Sequence, residues 1–222
     1  MQSTGIAKPV TVHEAVLHEL RKWLFSGRLT PGQPLRQEAI AEELGVSVVP
    51  VREALKTLET EGQVTYRPRR GFSVTYLGMD ELIELCDIRC NLESLAVTRG
   101  LPNLTEEDLV TMDRLLDEMA ASAESGQVIE LGRLDRRFHF LVFERAGMPQ
   151  LLRLITQLWD KSDPYRAMFF SDDNLRRYDR KAHDEILAAT RRRDAVELCA
   201  LLDEHRRSAL NKLGHLLQKP GK

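Results

Sequence analysis

The sequence predicts a mainly α-helical protein in two parts: three helices closed by a β-hairpin, then an antiparallel bundle of about six helices. Three observations carry this. Apolar residues recur at helical spacing along most of the 222-residue chain, β-prone runs are confined to about residues 64–76, and glycine and proline interrupt the helical pattern at short connections. A composition of 42% hydrophobic and 30% charged residues is that of a globular protein, and no apolar run approaches the roughly 20 residues of a membrane span. Met1 to Pro9 lacks the basic start and apolar stretch of a secretory signal, so the cytoplasm is the expected location. Cys86, Cys90 and Cys199 have neither zinc-finger nor redox spacing, which fits a reducing compartment and small buried side chains.

Val12, Val16, Leu20, Trp23 and Leu24 make residues 11–26 an amphipathic first helix, stopped by Gly27 and Thr30-Pro31-Gly32. A short second helix is expected at about 36–43, with Ile40 and Leu44 inward, before Gly45. The third begins after Ser47, whose hydroxyl can serve as N-cap, takes Pro50 in its first turn, and runs to about Glu61. Val64-Thr65-Tyr66 and Phe72-Ser73-Val74-Thr75-Tyr76 read as strands joined by the basic tip Arg67-Pro68-Arg69-Arg70-Gly71. Beyond Tyr76 every segment is helical in pattern. Helices are expected at about 80–99, 105–124, 128–146, 148–169, 173–192 and 194–217, with Thr105 and Asp108 forming a capping box and Gly126 and Gly147 marking ends. The division into residues 1–78 and 79–222 follows.

Charge divides the same way. Residues 1–78 carry 10 Lys and Arg against 8 Asp and Glu, whereas the remainder carries 22 against 26, so only the first part has the sign that DNA attracts. Three helices and a hairpin in this order make a winged helix-turn-helix, in which the third helix enters the major groove. Val51, Ala54, Leu55 and Leu58 form its inner face; Ser47, Val48, Val49, Pro50, Arg52 and Lys56 lie at its start or outer side. Arg52 can bond guanine or a phosphate, and Arg67, Arg69 and Arg70, beside Gly71, can neutralise phosphates from the wing. From charge alone the plainer reading, ordinary solvated side chains, would stand.

The ordered string decides otherwise. Pro31-Gly32, Ala41-Glu42-Glu43-Leu44-Gly45-Val46-Ser47, Pro50-Val51-Arg52-Glu53-Ala54-Leu55, Leu58-Glu59 and Glu61-Gly62 closely resemble the GntR family of bacterial regulators over about residues 11–76. The resemblance implies a sequence-specific regulator that binds a double-stranded DNA operator. Family members usually carry Arg-Thr where this chain has Val48-Val49, so the operator cannot be carried over. Two valines would instead suit thymine methyl groups.

In the second part, one acid and three histidines fall on stripes that should be apolar. Asp135 and His139 lie with Leu131, Phe138 and Val142; His183 lies with Ile186, Leu187 and Thr190; His205 lies with Leu198, Leu202 and Ala209. A buried carboxylate is costly unless it is paired or bound to a cation. Singly, each histidine reads as hydrogen-bonded core; together, on three helices, they read as ligands of a divalent metal such as Zn, Ni, Mn or Fe. His215 competes as a ligand, and His13 and His18 are expected to face solvent.

This pattern resembles the FCD effector domain, in its shorter, VanR-like form, over about residues 80–210. The resemblance places the acid and first histidine on Asp135-Arg136-Arg137-Phe138-His139, the second on His183 and the third on His205, and matches Arg89 and Glu93 to that domain's first helix. Arg89 lies on the stripe of Leu82, Cys86, Leu92 and Ala96, either as a salt bridge to Glu93 or as a clamp for an effector carboxylate. Tyr165 and Arg166 are further candidates for the cavity. The leading expectation is a homodimeric regulator, a repressor by family habit, controlled by a small organic acid. The rivals are a metal-dependent enzyme, for which no additional general base stands at a defined spacing, and a plain architectural DNA-binding dimer.

Overall fold

The computed structural model describes residues 11–172 and 180–217; the expectation about Met1 to Pro9, and the start of the helix expected at 173–192, lie outside them. α1 spans Val12–Phe25. It starts on a capping box in which the Thr11 hydroxyl accepts from the Glu14 N–H and the Glu14 carboxylate accepts from the Thr11 N–H. It buries Val16, Leu17, Leu20, Trp23 and Leu24, while Val12, assigned to the same stripe, stands 56% exposed in the first turn. α2 is Gln37–Leu44 and α3 is Val48–Thr60. Between them Gly45 adopts φ +65°, the left-handed conformation that ends α2 and turns the chain into α3.

The expected hairpin forms, and a further short strand extends it to a three-stranded antiparallel sheet. β2 (Val64–Arg67) pairs with β3 (Gly71–Val74), and β1 (Pro34–Leu35) adds to the other side of β3, with Leu35 opposite Phe72. A two-residue strand that opens on proline has no period to read, so nothing local announces it. β3 ends at Val74, short of the expected Tyr76, although the Thr75 N–H still donates to the Gln63 carbonyl and its hydroxyl bonds that of Thr65. Leu20, Leu24, Leu55, Leu58, Phe72 and Val74 belong to one apolar core confined to this part.

No strand follows Val74 among the described residues. α4 (Met79–Gly100), a 3-10 turn (Leu101–Asn103), α5 (Glu106–Glu124), α6 (Val128–Glu144), α7 (Pro149–Ser171), α8 (Arg180–Arg192) and α9 (Ala195–Leu217) build the bundle. The Thr105–Asp108 capping box closes the start of α5. A second core gathers Val97, Met112, Leu116, Phe138, Ile155, Leu187 and Leu198, among others, from these helices. Gly100 permits the crossing of α4 and α6, because a Cβ there would collide with the Val142 carbonyl oxygen. α9 runs antiparallel to α4, with Arg207 near Asp87 at one level and Gly214 beside Met79 farther along. No described helix is long and apolar enough to cross a membrane.

The two parts meet along α7, which packs against α1. Gln63 donates from Nε2 to the Asp160 carbonyl at 3.2 Å, and Gly27 lies against Ala167. The connecting segment is held too: the buried Tyr165 hydroxyl accepts from the Leu77 N–H and donates to the Leu77 carbonyl.

Candidate DNA interface and buried cluster

At the start of α3, Ser47 occupies the N-cap position with extended backbone, but its hydroxyl makes no bond to the helix, contrary to the capping role expected of it. The first-turn N–H groups therefore lack that side-chain partner and suit a phosphate. Val49 is 66% exposed and Pro50 half-buried, whereas Val48 packs partly against the core, so the two valines do not present equal surfaces. Arg52 donates to Gln37 Oε1 at 3.1 Å, and Lys56 pairs with Glu53 on their common helix. Both are exposed, as are Arg67, Arg69 and Arg70 on the wing; Arg69 and Gly71 take positive φ to close the tip. His18 faces solvent, but His13 is half-buried, 3.4 Å from the Thr57 hydroxyl. It lies where α1 meets α3, and helical phase in α1 alone does not reveal that neighbour.

Inside the bundle, the four residues read from sequence converge. One ligand atom from each of Asp135, His139, His183 and His205 lies within 4.8 Å of the other three. α6 supplies the first pair at one-turn spacing, α8 supplies His183 and α9 supplies His205. His183 Nε2 stands 3.2 Å and His139 Nε2 3.6 Å from Asp135 Oδ1, and Arg166 holds Oδ2 at 2.5 Å. The His183 and His205 rings meet edge to face with centroids 4.5 Å apart.

Burial would raise the Asp135 carboxyl, but contacts with His139 and His183 and the charge of Arg166 hold it well below the usual carboxylate range. Burial lowers His139, only partly opposed by Asp135, and lowers His205 strongly, with His183 and His139 adding to the effect. Both imidazoles are thus held neutral, the form a metal needs. Two ligands each about 2.1 Å from one ion can be at most roughly 4.2 Å apart, so small side-chain movements would fit the group to a cation. His215 is exposed at the far end of α9 and does not join the cluster.

The cluster lies at the wall of a cavity of about 360 Å³. Arg89, Glu93, Tyr165 and Arg166 all line it. Arg89 makes the salt bridge that the sequence offers as one alternative, Nε to Glu93 Oε1 at 2.8 Å, and its guanidinium also lies 4.2 Å from the Trp159 ring centroid. The second Glu93 oxygen accepts from Arg206 at 2.7 Å. Burial opposes ionisation of Glu93, but the two arginines bring its carboxyl down to about 2. Burial lowers Arg89. Arg166 bridges Asp135 and Asp163, and Asp163 contacts Arg136 at 3.2 Å. Burial pushes Asp163 up to about 6, with Arg166 and Arg136 pulling the other way.

Sequence reading misses Arg206 and Trp159. Each sits on a legible stripe, Arg206 one turn beyond Leu202 and Trp159 one turn beyond Ile155, and each is overshadowed by a more conspicuous neighbour. The three cysteines are free and half-buried rather than core; Cys86 lies in the cavity wall and Cys199 packs against the bundle core from its margin.

Comparison with known proteins agrees with this architecture. The description "Bacterial regulatory proteins, gntR family" matches residues 12–74, and "FCD domain" matches residues 84–208. The HTH-type transcriptional regulator McbR of Escherichia coli (strain K12) is 35% identical over 164 residues, 74% of this chain and 74% of its own length. The HTH-type transcriptional repressor GlaR of the same strain is 27% identical over 197 residues, 84% of this chain and 88% of its own. The solved structure of E. coli McbR/YncC superposes with a TM-score of 0.83 at 29% identity, covering 95% of this chain and 100% of that one. With a winged helix ahead of an all-helical FCD domain, the chain belongs to the GntR family of DNA-binding transcriptional regulators.

Proposed function

We propose that this regulator works as a homodimer, that residues 1–78 read an operator, and that residues 79–222 dimerise and bind a small organic acid that changes operator affinity. The observation that carries the sensing half is the convergence of Asp135, His139, His183 and His205 within 4.8 Å beside a cavity that also holds Arg89, Arg166 and Arg206. Its donor set, one carboxylate and three imidazoles, of which burial keeps His139 and His205 neutral, suits Zn, Ni, Mn or Fe with coordination positions left for ligand oxygens. A cation bound there supplies a Lewis-acidic seat for a carboxylate oxygen. The chain's own residues do the rest: Arg166 orients Asp135, the aromatic rings of Phe138 and Trp159 pack against His139, and Arg89 with Glu93 and Arg206 forms a braced guanidinium pair for the acid's other atoms.

On the DNA side, the α3 N-terminus, Ser47, Pro50, Arg52 and Lys56 approach the major groove, Val49 and part of Val48 offer apolar contact to thymine methyls, and Arg67, Arg69, Arg70 and Gly71 of the wing meet the backbone. A dimer is required because one module covers too little DNA for tight, specific binding. Repression is the proposed outcome, as the name of the relative GlaR supports, and operator binding places the work in the cytoplasm.

The test is fluorescence anisotropy of full-length protein on fragments of its own promoter region, with and without a panel of organic acids, in metal-replete buffer. The reading expects a specific complex whose affinity shifts at least tenfold with an effective acid, and His139→Ala abolishes the shift. No specific complex on any such fragment, or a complex that no acid alters, contradicts it.

A further inference from the structure

The cavity has two chemically different ends. Around the Asp135–His139–His183–His205 group it is charged, with Arg89, Glu93, Arg166 and Arg206 in its wall. Farther along α4 and α9 the lining is Leu82 and Leu85 from α4, Tyr165 and Phe169 from α7, and Leu210 and Leu213 from α9. On α9 the step from His205 to Leu213 is eight residues, a rise of roughly 12 Å. Beyond Ala209, among the described residues, the only charged side chain that α9 contributes to the wall is Lys212.

That second end is continuous with a small apolar cluster distinct from the main bundle core. Leu82, Tyr165 and Leu213 are its buried members, and Leu77, Met79, Met168 and Leu210 pack against it. The one hydroxyl in the cluster, that of Tyr165, is already committed to both backbone groups of Leu77. Apart from Lys212 in its wall, the lobe is lined by apolar carbon and suits a compact hydroxy acid poorly, because the acid's remaining hydroxyls would lose their water there. It offers full burial to methylene or aromatic carbon.

Resting on the proposed acid-sensing reading, we propose that the effector is an amphipathic carboxylic acid. Its carboxylate lies at the histidine and arginine end, and its apolar body fills the lobe of Leu82, Leu85, Tyr165, Phe169, Leu210 and Leu213. The far end of such a body bears on Tyr165, the residue that ties the cavity to the segment joining the two parts of the chain. Body length, as well as head-group chemistry, then decides which acids act.

Isothermal titration of the metal-replete, full-length protein with straight-chain acids from acetate to decanoate tests this. Each added methylene is expected to tighten binding roughly fourfold until the lobe is full, after which affinity stops rising. Leu213→Trp shortens the preferred chain by at least two carbons; if that variant does not fold, Leu82→Phe narrows the lobe from the opposite wall and gives the same displacement. Acetate binding as tightly as octanoate would overturn the amphipathic assignment while leaving acid sensing in place. The same limiting chain length in wild type and both variants would overturn it as well, since the methylenes would then be gaining their affinity outside this lobe. Binding of a compact hydroxy acid but of none of these chains would overturn the assignment and leave acid sensing in place, and binding of neither would overturn both.

Discussion

Glu93 shows how the buried charges depend on one another. It is 2% exposed and shared by Arg89 and Arg206, so Glu93→Gln leaves two guanidinium groups in the interior with their common carboxylate removed. Breaking a buried pair in this way costs about 3–5 kcal/mol, and urea unfolding should show a decrease of that size without a change in slope. Asp163 behaves oppositely with pH. Its folded carboxyl titrates at about 6, above the ordinary value of 3.8, so folding takes up a proton between those values. The stability it contributes is present when it is protonated and is lost as pH rises through about 6. Asp163→Asn removes this, so its destabilisation should be larger at pH 5 than at pH 7, by on the order of 1 kcal/mol. Equal destabilisation at the two pH values would contradict the assignment. Among single residues, the sequence exposes those that break an apolar stripe, Asp135, His139, His183, His205 and Arg89, because a polar group there is chemically conspicuous. Arg206 follows such a stripe too, but beside His205 it is overshadowed, and its partner Glu93, 113 positions away, is not read from the pattern.

At the scale of elements, most helices are legible because glycines and caps punctuate a strong 3.6-residue pattern; α5, with Thr105 and Asp108 at its start, is the plainest case. β1 is not, since its pairing to β3 is a tertiary event with almost no local signal. Val12 and the cysteines depart from expectation for a related reason: phase says which face a residue occupies, but not where along that face the neighbouring helix ends. The wing and α3 carry the DNA prediction. Replacing Arg67, Arg69 and Arg70 together by alanine should weaken binding to all sequences alike and reduce the salt slope by roughly one for each phosphate no longer neutralised. Val49→Ala, by contrast, should weaken binding only to sites with thymine beside the recognition helix. Anisotropy titrations over a range of salt, on operator and scrambled duplexes, separate the two effects.

Across the whole molecule, α7 links the cluster, the winged helix and the segment between them. Trp159 and Arg166 meet the cluster, Asp160 receives Gln63 from the winged helix, and Tyr165 holds Leu77. None of these contacts is visible in sequence, because each joins residues about 20 or more positions apart through a helix whose own pattern looks ordinary. Tyr165→Phe removes two hydrogen bonds to the connecting segment. It should cost about 1–3 kcal/mol and reduce the factor by which a bound acid alters operator affinity. An unchanged coupling factor would mean that the signal leaves the cavity by another route.

An acid on α6 and imidazoles from α6, α8 and α9 are proposed to form one cation site, and the sensing half of the molecule rests on it. Its most direct test is calorimetric titration of Zn²⁺, Ni²⁺ and Mn²⁺ into chelator-treated protein, compared with His139→Ala and His205→Ala. One ion per chain is predicted, with either substitution weakening binding at least tenfold while leaving the far-ultraviolet helical signal intact. No saturable binding to the wild type, or equal binding to the folded variants, would contradict it.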